Sequence, residues 1–296
     1  MREPRSAIAV AVRFASAAAL CACTIAAANA QQAPPLQQNA GGGPAAENNG
    51  EDFTRPETLI QLRSAYTTAP GSGTVPGTTS TVTTGALILR SDLKIDVAPQ
   101  WTVALRGDLP FNAKNPVASN NPDGDYLYGL GDADIQAALI RTIDSRWAAG
   151  AGLRIYAPTG TGDLTSGVWQ ALPLIGARYM LPEISPGSFF TGLARYDFSF
   201  AGNPAAKYIG NLQFAPTLNI NLSDRWFVTF YPSPDIRINF GDPVAGQTGR
   251  LFLPFDFMVG RNVTKDIVVS LEASAPMIDQ YPVYYFKTVA RLNFKF

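Results

Sequence analysis

From about residue 56 onward, apolar and polar side chains alternate with a period of two. In the last thirteen residues Tyr284, Phe286, Thr288, Ala290, Leu292, Phe294 and Phe296 share one face, and Lys287, Val289, Arg291, Asn293 and Lys295 share the other. That period is the signature of a two-faced β-strand. The same alternation runs through Leu87–Val97, Phe190–Phe200, Trp226–Phe240, Arg250–Asn262 and Ile267–Ala275. Between such stretches a short polar turn recurs just before a bulky residue: Trp101, Trp147, Phe189, Trp226 and Ile267, at spacings of 46, 42, 37 and 41. A first unit near Glu57 makes six units of strand, loop, strand and turn. Residues 56–296 give about 20 per strand with its connection, and a tilted strand crossing a ~25 Å apolar band needs about ten. The expected fold is all-β: a transmembrane antiparallel up-and-down β-barrel of about 12 strands, with 10 or 14 also fitting the length.

Charge decides which face is which. The polar faces collect Arg63, Arg90, Lys94, Arg106, Arg154, Arg178, Arg195, Arg237, Lys287 and Arg291, against Asp92, Asp96, Asp108, Asp134, Asp197, Asp235, Asp256 and Glu272. An Arg or Lys facing lipid at mid-membrane costs about 2–4 kcal/mol, so these side chains are expected in the lumen. A soluble sandwich would bury the same apolar stripe. Strands of ten to thirteen residues, Trp at strand starts and the closing aromatic favour the membrane. Candidate pore-lining residues are Arg63, Arg90, Asp92, Lys94, Arg106, Asp134, Arg154, Arg178, Arg195, Asp197, Asp235, Arg237, Asp256, Glu272 and Arg291. The final strand resembles the C-terminal strand of bacterial outer-membrane barrels. That resemblance implies that Phe296 is an assembly signal read by the barrel assembly machinery.

The N-terminus predicts export. Arg2, Arg5 and Arg13 precede the uncharged, Ala-rich stretch Ala15–Ala28, and Ala28-Asn29-Ala30 is a small-x-small cleavage site. Residues 1–30 read as a signal peptide, too short to span a membrane. Leu20-Cys21-Ala22-Cys23 offers a competing lipoprotein reading with Cys23 lipidated. Both cysteines lie within this segment, so the exported chain carries no disulfide. Cleavage leaves 20 basic and 22 acidic residues, a net charge of −2 with no nucleic-acid footprint. Residues 31–55, rich in Gln, Asn, Gly and Pro, read as a flexible periplasmic segment or, alternatively, a plug folded back into the lumen. Residues 56–296 are the barrel. The expected location is the Gram-negative outer membrane, in contact with its lipid and lipopolysaccharide.

Enzymatic readings find little support. The chain has no histidine, which excludes Ser-His catalysis and His-ligated zinc. Asn121-Pro-Asp123-Gly-Asp125 with Asp132 is loosely a calcium loop, but Tyr126 stands where the turn needs Gly. Turn chemistry explains those residues better. Gly160-Thr-Gly162-Asp163 lacks the Lys of a phosphate loop. Asp132 and Asp134 are better placed in an ion-pair network than as acid and base. No metal, cofactor or catalytic set is expected.

Three motifs carry a closer resemblance: Gly129-Leu130-Gly131-Asp132, Tyr156-Ala-Pro158-Thr159-Gly160, and Pro216-Thr217-Leu218-Asn219-Ile220 ahead of Leu222-Ser223-Asp224-Arg225-Trp226. Over residues 56–296 the chain resembles outer-membrane transporters of the MetA-pathway phenol-degradation family. The family name implies uptake of aromatic compounds. The function read from the chain is a passive channel or facilitator for small molecules, aromatic or anionic solutes among them. The alternative is a non-conducting structural or surface-interaction barrel, with Asn112–Tyr128 as its longest loop.

Overall fold

The computed structural model describes residues 52–72, 79–117 and 121–296. The expected signal peptide, the lipoprotein box and residues 31–51 lie outside them. The strands are β1 (Leu59–Ser72), β2 (Thr79–Ala98), β3 (Trp101–Lys114), β4 (Leu127–Leu130), β5 (Asp134–Thr142), β6 (Trp147–Tyr156) and β7 (Val168–Met180). They continue with β8 (Phe189–Gly202), β9 (Gly210–Asn221), β10 (Trp226–Phe230), β11 (Ile236–Asn239), β12 (Leu251–Asn262), β13 (Ile267–Asp279) and β14 (Phe286–Lys295). Every pairing is antiparallel, and β14 pairs with β1 to close the sheet on itself. Both β4 and β5 pair with β3, and both β10 and β11 lie between β9 and β12. Each couple is one interrupted pass, so fourteen strands make a closed barrel of twelve passes.

The recurring turns sit at one rim. Trp101, Trp147, Phe189, Trp226 and Ile267 open β3, β6, β8, β10 and β13. Local chemistry makes these turns tight. Asp144 Oδ1 accepts from the backbone N–H of Arg146 and Trp147, each at 2.7 Å, and Thr264 Oγ1 accepts from those of Asp266 and Ile267. Trp147 and Trp226 stand exposed there and Trp101 is half-buried. Arg141 lies over Trp101 and Arg261 over Trp226, the arrangement of an interfacial aromatic belt. Phe189 departs from the pattern: it points inward and is fully buried.

The outer face is aliphatic and aromatic. Mid-strand residues such as Ile135, Ile175 and Leu271 are 70, 65 and 59 % exposed, which only a lipid-facing surface makes favourable. Inside, two small apolar clusters lie on the β10–β14 side of the wall. Phe227, Met258 and Val268 pack near the turn rim, and Phe252, Tyr281 and Tyr284 near the loop rim.

Three expectations about strand limits are corrected. The last strand begins at Phe286, because Tyr284 turns inward onto Phe252 with ring centroids 4.8 Å apart. Trp226–Phe240 is not one strand: Tyr231, at φ 51°, and the two prolines of Pro232-Ser233-Pro234 interrupt it. The stretch Asn112–Tyr128 is shorter as a loop, since β3 runs to Lys114 and β4 starts at Leu127.

Ile175→Arg tests the lipid-facing assignment. The substitution is expected to cost about 2–4 kcal/mol in vesicles, read as a lowered denaturation midpoint of the refolded barrel. A cost near zero would put water on that face.

Candidate functional site

Closure of the barrel turns one face of every strand inward, and register then decides which charges meet. Arg90-Ser91-Asp92 on β2 runs antiparallel to Arg106-Gly107-Asp108 on β3. Arg90 stands directly opposite Asp108, and Asp92 opposite Arg106. Both pairs are two-pronged. Arg90 Nε and Nη2 donate to Asp108 at 2.6 and 2.5 Å, and Arg106 does the same to Asp92 at 2.7 and 2.8 Å. Parallel forked bonds of this kind fix geometry as well as charge. On the next strands Asp134 of β5 lies 3.5 Å from Arg154 of β6, whose guanidinium also donates to Gln136 Oε1.

Across the lumen a second network joins β11 to β14. Carboxylate oxygens of Asp235, Asp256 and Glu272 lie within 4.8 Å of one another. Such a trio could hold a metal, but Lys287 Nζ reaches all three, Arg291 pairs with Glu272, and Arg237 lies 3.1 Å from Asp235. Three cations therefore balance three acids within the cluster.

A third feature comes from the chain before β1. Of residues 31–55, read as a flexible periplasmic segment or as a plug folded back into the lumen, the structure describes 52–55, and these lie inside the barrel. Asp52 is buried and accepts from Arg178 Nη1 at 3.1 Å and Arg55 Nε at 2.7 Å. Arg55 stacks over Phe189, and the Phe53 ring lies against Gly176 of β7. A Cβ at Gly176 would sit 2.6 Å from that ring, so glycine makes the space the segment occupies.

Between these groups lies an internal cavity of about 530 Å³. Ten of the fifteen candidates border it: Arg63, Arg90, Asp92, Arg106, Asp134, Arg154, Arg195, Asp235, Arg237 and Arg291. Lys94, Arg178, Asp197, Asp256 and Glu272 share the inner face but stand outside its lining. Asp108 and Lys287, on the polar faces but not among the candidates, also line it. Sequence reasoning missed the neutral members: Gln61, Gln136, Thr191, Thr217 and Ser233. The β-strand ones share the same alternating face, so period rather than charge could have found them. Gln61 Nε2 donates to Asn293 Oδ1 at 2.6 Å across the β1–β14 seam.

Two of the resemblance motifs meet outside the charge networks. Asp132 accepts from Gly160 N, Thr165 Oγ1, and both N and Oγ of Ser166. Its carboxylate is thus occupied in tying down the 157–167 loop. Asn121 accepts from Asp125 N and closes its own turn.

No protein-family model matches the chain, and no curated protein matches it. Solved structures do. An outer membrane channel from Pseudomonas putida F1 is similar at a TM-score of 0.63 and 14 % identity, over 87 % of this chain and 100 % of that one. The translocator domain of the autotransporter NalP from Neisseria meningitidis gives 0.48 and 11 %, over 84 % and 91 %. The KdgM porin gives 0.43 and 7 %, over 80 % and 99 %. The first of these likenesses shows the fold, an outer-membrane β-barrel.

Asp52→Ala tests the buried pair at the barrel floor. It leaves Arg178, only 4 % exposed, without its acid. Stability is expected to fall by about 3–5 kcal/mol in a denaturant titration, with much of the loss recovered in Asp52→Ala/Arg178→Met.

Proposed function

We propose that this protein is a passive outer-membrane channel or facilitator for small molecules that pass along its charged interior. The observation that carries this reading is the cavity of about 530 Å³ inside the closed wall. A twelve-strand barrel is narrow enough for side chains to fill, and protein interiors are normally close-packed. Here space on the scale of a small-molecule site remains, bordered by guanidinium, carboxylate and amide groups. Those groups replace water around a polar or anionic solute in transit. The resemblance of three motifs to the phenol-degradation transporters adds aromatic compounds to the candidate solutes.

A non-conducting structural barrel is the second reading. It draws on the apolar cluster of Phe252, Tyr281 and Tyr284 near one rim and on the inserted Asp52–Arg55 segment near the other.

Single-channel recording of the refolded barrel in a planar bilayer separates the two. The channel reading expects discrete steps of unit conductance. It also expects Leu193→Trp, which adds bulk on the cavity wall, to lower the conductance several-fold. A heat-modifiable but electrically silent barrel would overturn it and favour the structural reading.

A further inference from the structure

Three adjacent strands present Arg195, Gln213 and Arg237 at one level of the inner wall. Gln213 on β9 is directly opposite Arg195 on β8 and directly opposite Arg237 on β11. At about 4.8 Å between neighbouring strands, the two arginine backbones stand about 10 Å apart across the amide.

The three side chains are not equivalent. Arg195 uses its Nε, which donates to Gln213 Oε1 at 2.5 Å. Among the described residues no carboxylate lies within 4.0 Å of it, and its two terminal nitrogens make no hydrogen bond to protein. The residue borders the cavity. The other inner-face arginines of β2, β3, β6 and β7 each have an acid: Asp108, Asp92, Asp134 and Asp52. Gln213 is buried, and its Nε2 lies 3.5 Å from Asp197 Oδ2, which keeps the amide oxygen turned toward Arg195. Arg237 gives Nη2 to Asp235, while its buried Nε has no acceptor.

A guanidinium facing a cavity without a protein counter-ion is complete only when an anion from solution supplies the acceptors. Its planar fork fits a carboxylate in a two-pronged contact. The wall beside it is apolar. Leu174 stands directly opposite Arg195, and Leu193 and Ala215 border the same cavity. We propose that Arg195, held by Gln213 and flanked by Arg237, is a binding subsite for small organic monocarboxylates whose apolar body rests on Leu174, Leu193 and Ala215. The proposal rests on the channel reading and names the solute class that pauses in the lumen.

The test is calorimetric titration of the refolded, detergent-solubilised barrel with butyrate. Butyramide, chloride and empty micelles are the controls. Saturable butyrate binding is expected, with butyramide silent and chloride weaker. Arg195→Gln is expected to weaken binding by about ten-fold or more. Gln213→Glu, which places a protein carboxylate on Arg195, is expected to abolish it while the heat-modifiable gel shift persists. The second variant keeps the test decisive if the first does not fold. Binding unchanged in Gln213→Glu, or butyramide binding as well as butyrate, would overturn the subsite. Conductance without saturable butyrate binding would remove the subsite and leave the channel reading standing. Binding in a silent barrel would do the reverse.

Discussion

Hydrocarbon offers a backbone no hydrogen-bond partners, and the rest of this structure follows from that constraint. A sheet can meet it only by having no edge. Ten residue pairs between β1 and β14 close the wall, although the seam sets Arg63 opposite Arg291. Two passes are interrupted, and at both the freed backbone groups find partners. Near the first break, Gly131 N donates to Pro110 O, Thr161 N to Leu130 O, and Ala157 N to Ala133 O. At the second, Tyr231 N donates to Asp256 O, and its carbonyl accepts from Thr217 Oγ1. The breaks are affordable because neighbouring chain takes over the ladder's role.

Closure also gathers the polar faces of all the strands into one confined interior. A buried ion whose partner is removed costs several kcal/mol, so each inward charge needs an answer close by. Most are answered across one strand gap, as Arg90 is by Asp108 and Arg154 by Asp134. The Asp235–Asp256–Glu272 group is answered collectively by Lys287 and its neighbouring guanidiniums. Asp52 answers Arg178 from outside the strand set altogether. The floor is therefore built partly from chain that precedes the barrel.

The wall was legible in the sequence because lipid leaves little freedom: the outward residue is apolar, the next is not, and turns recur where the membrane ends. Trp101, Trp147, Trp226 and Ile267 marked strand starts for that reason. Phe189 looked the same yet faces inward, because it packs under Arg55 rather than toward lipid. Inside, the code is looser. A neutral residue such as Gln213 positions Arg195 through its amide oxygen, and no composition argument singles it out. The inward turn of Tyr284 was hidden because an aromatic suits either face. The plug alternative allowed Asp52 an inner position, but its partner was unreadable, since Arg178 is 126 positions away.

The repeated Arg-x-Asp on β2 and β3 has a consequence beyond charge balance. Slide one strand by two residues, the smallest slip that keeps apolar side chains outward, and Arg90 meets Arg106 in one direction while Asp92 meets Asp108 in the other. Either misalignment sets like charges directly opposite each other, which destabilises the pairing. The hairpin thus carries its own proofreading: of the nearby alignments that satisfy the bilayer, only one satisfies the lumen.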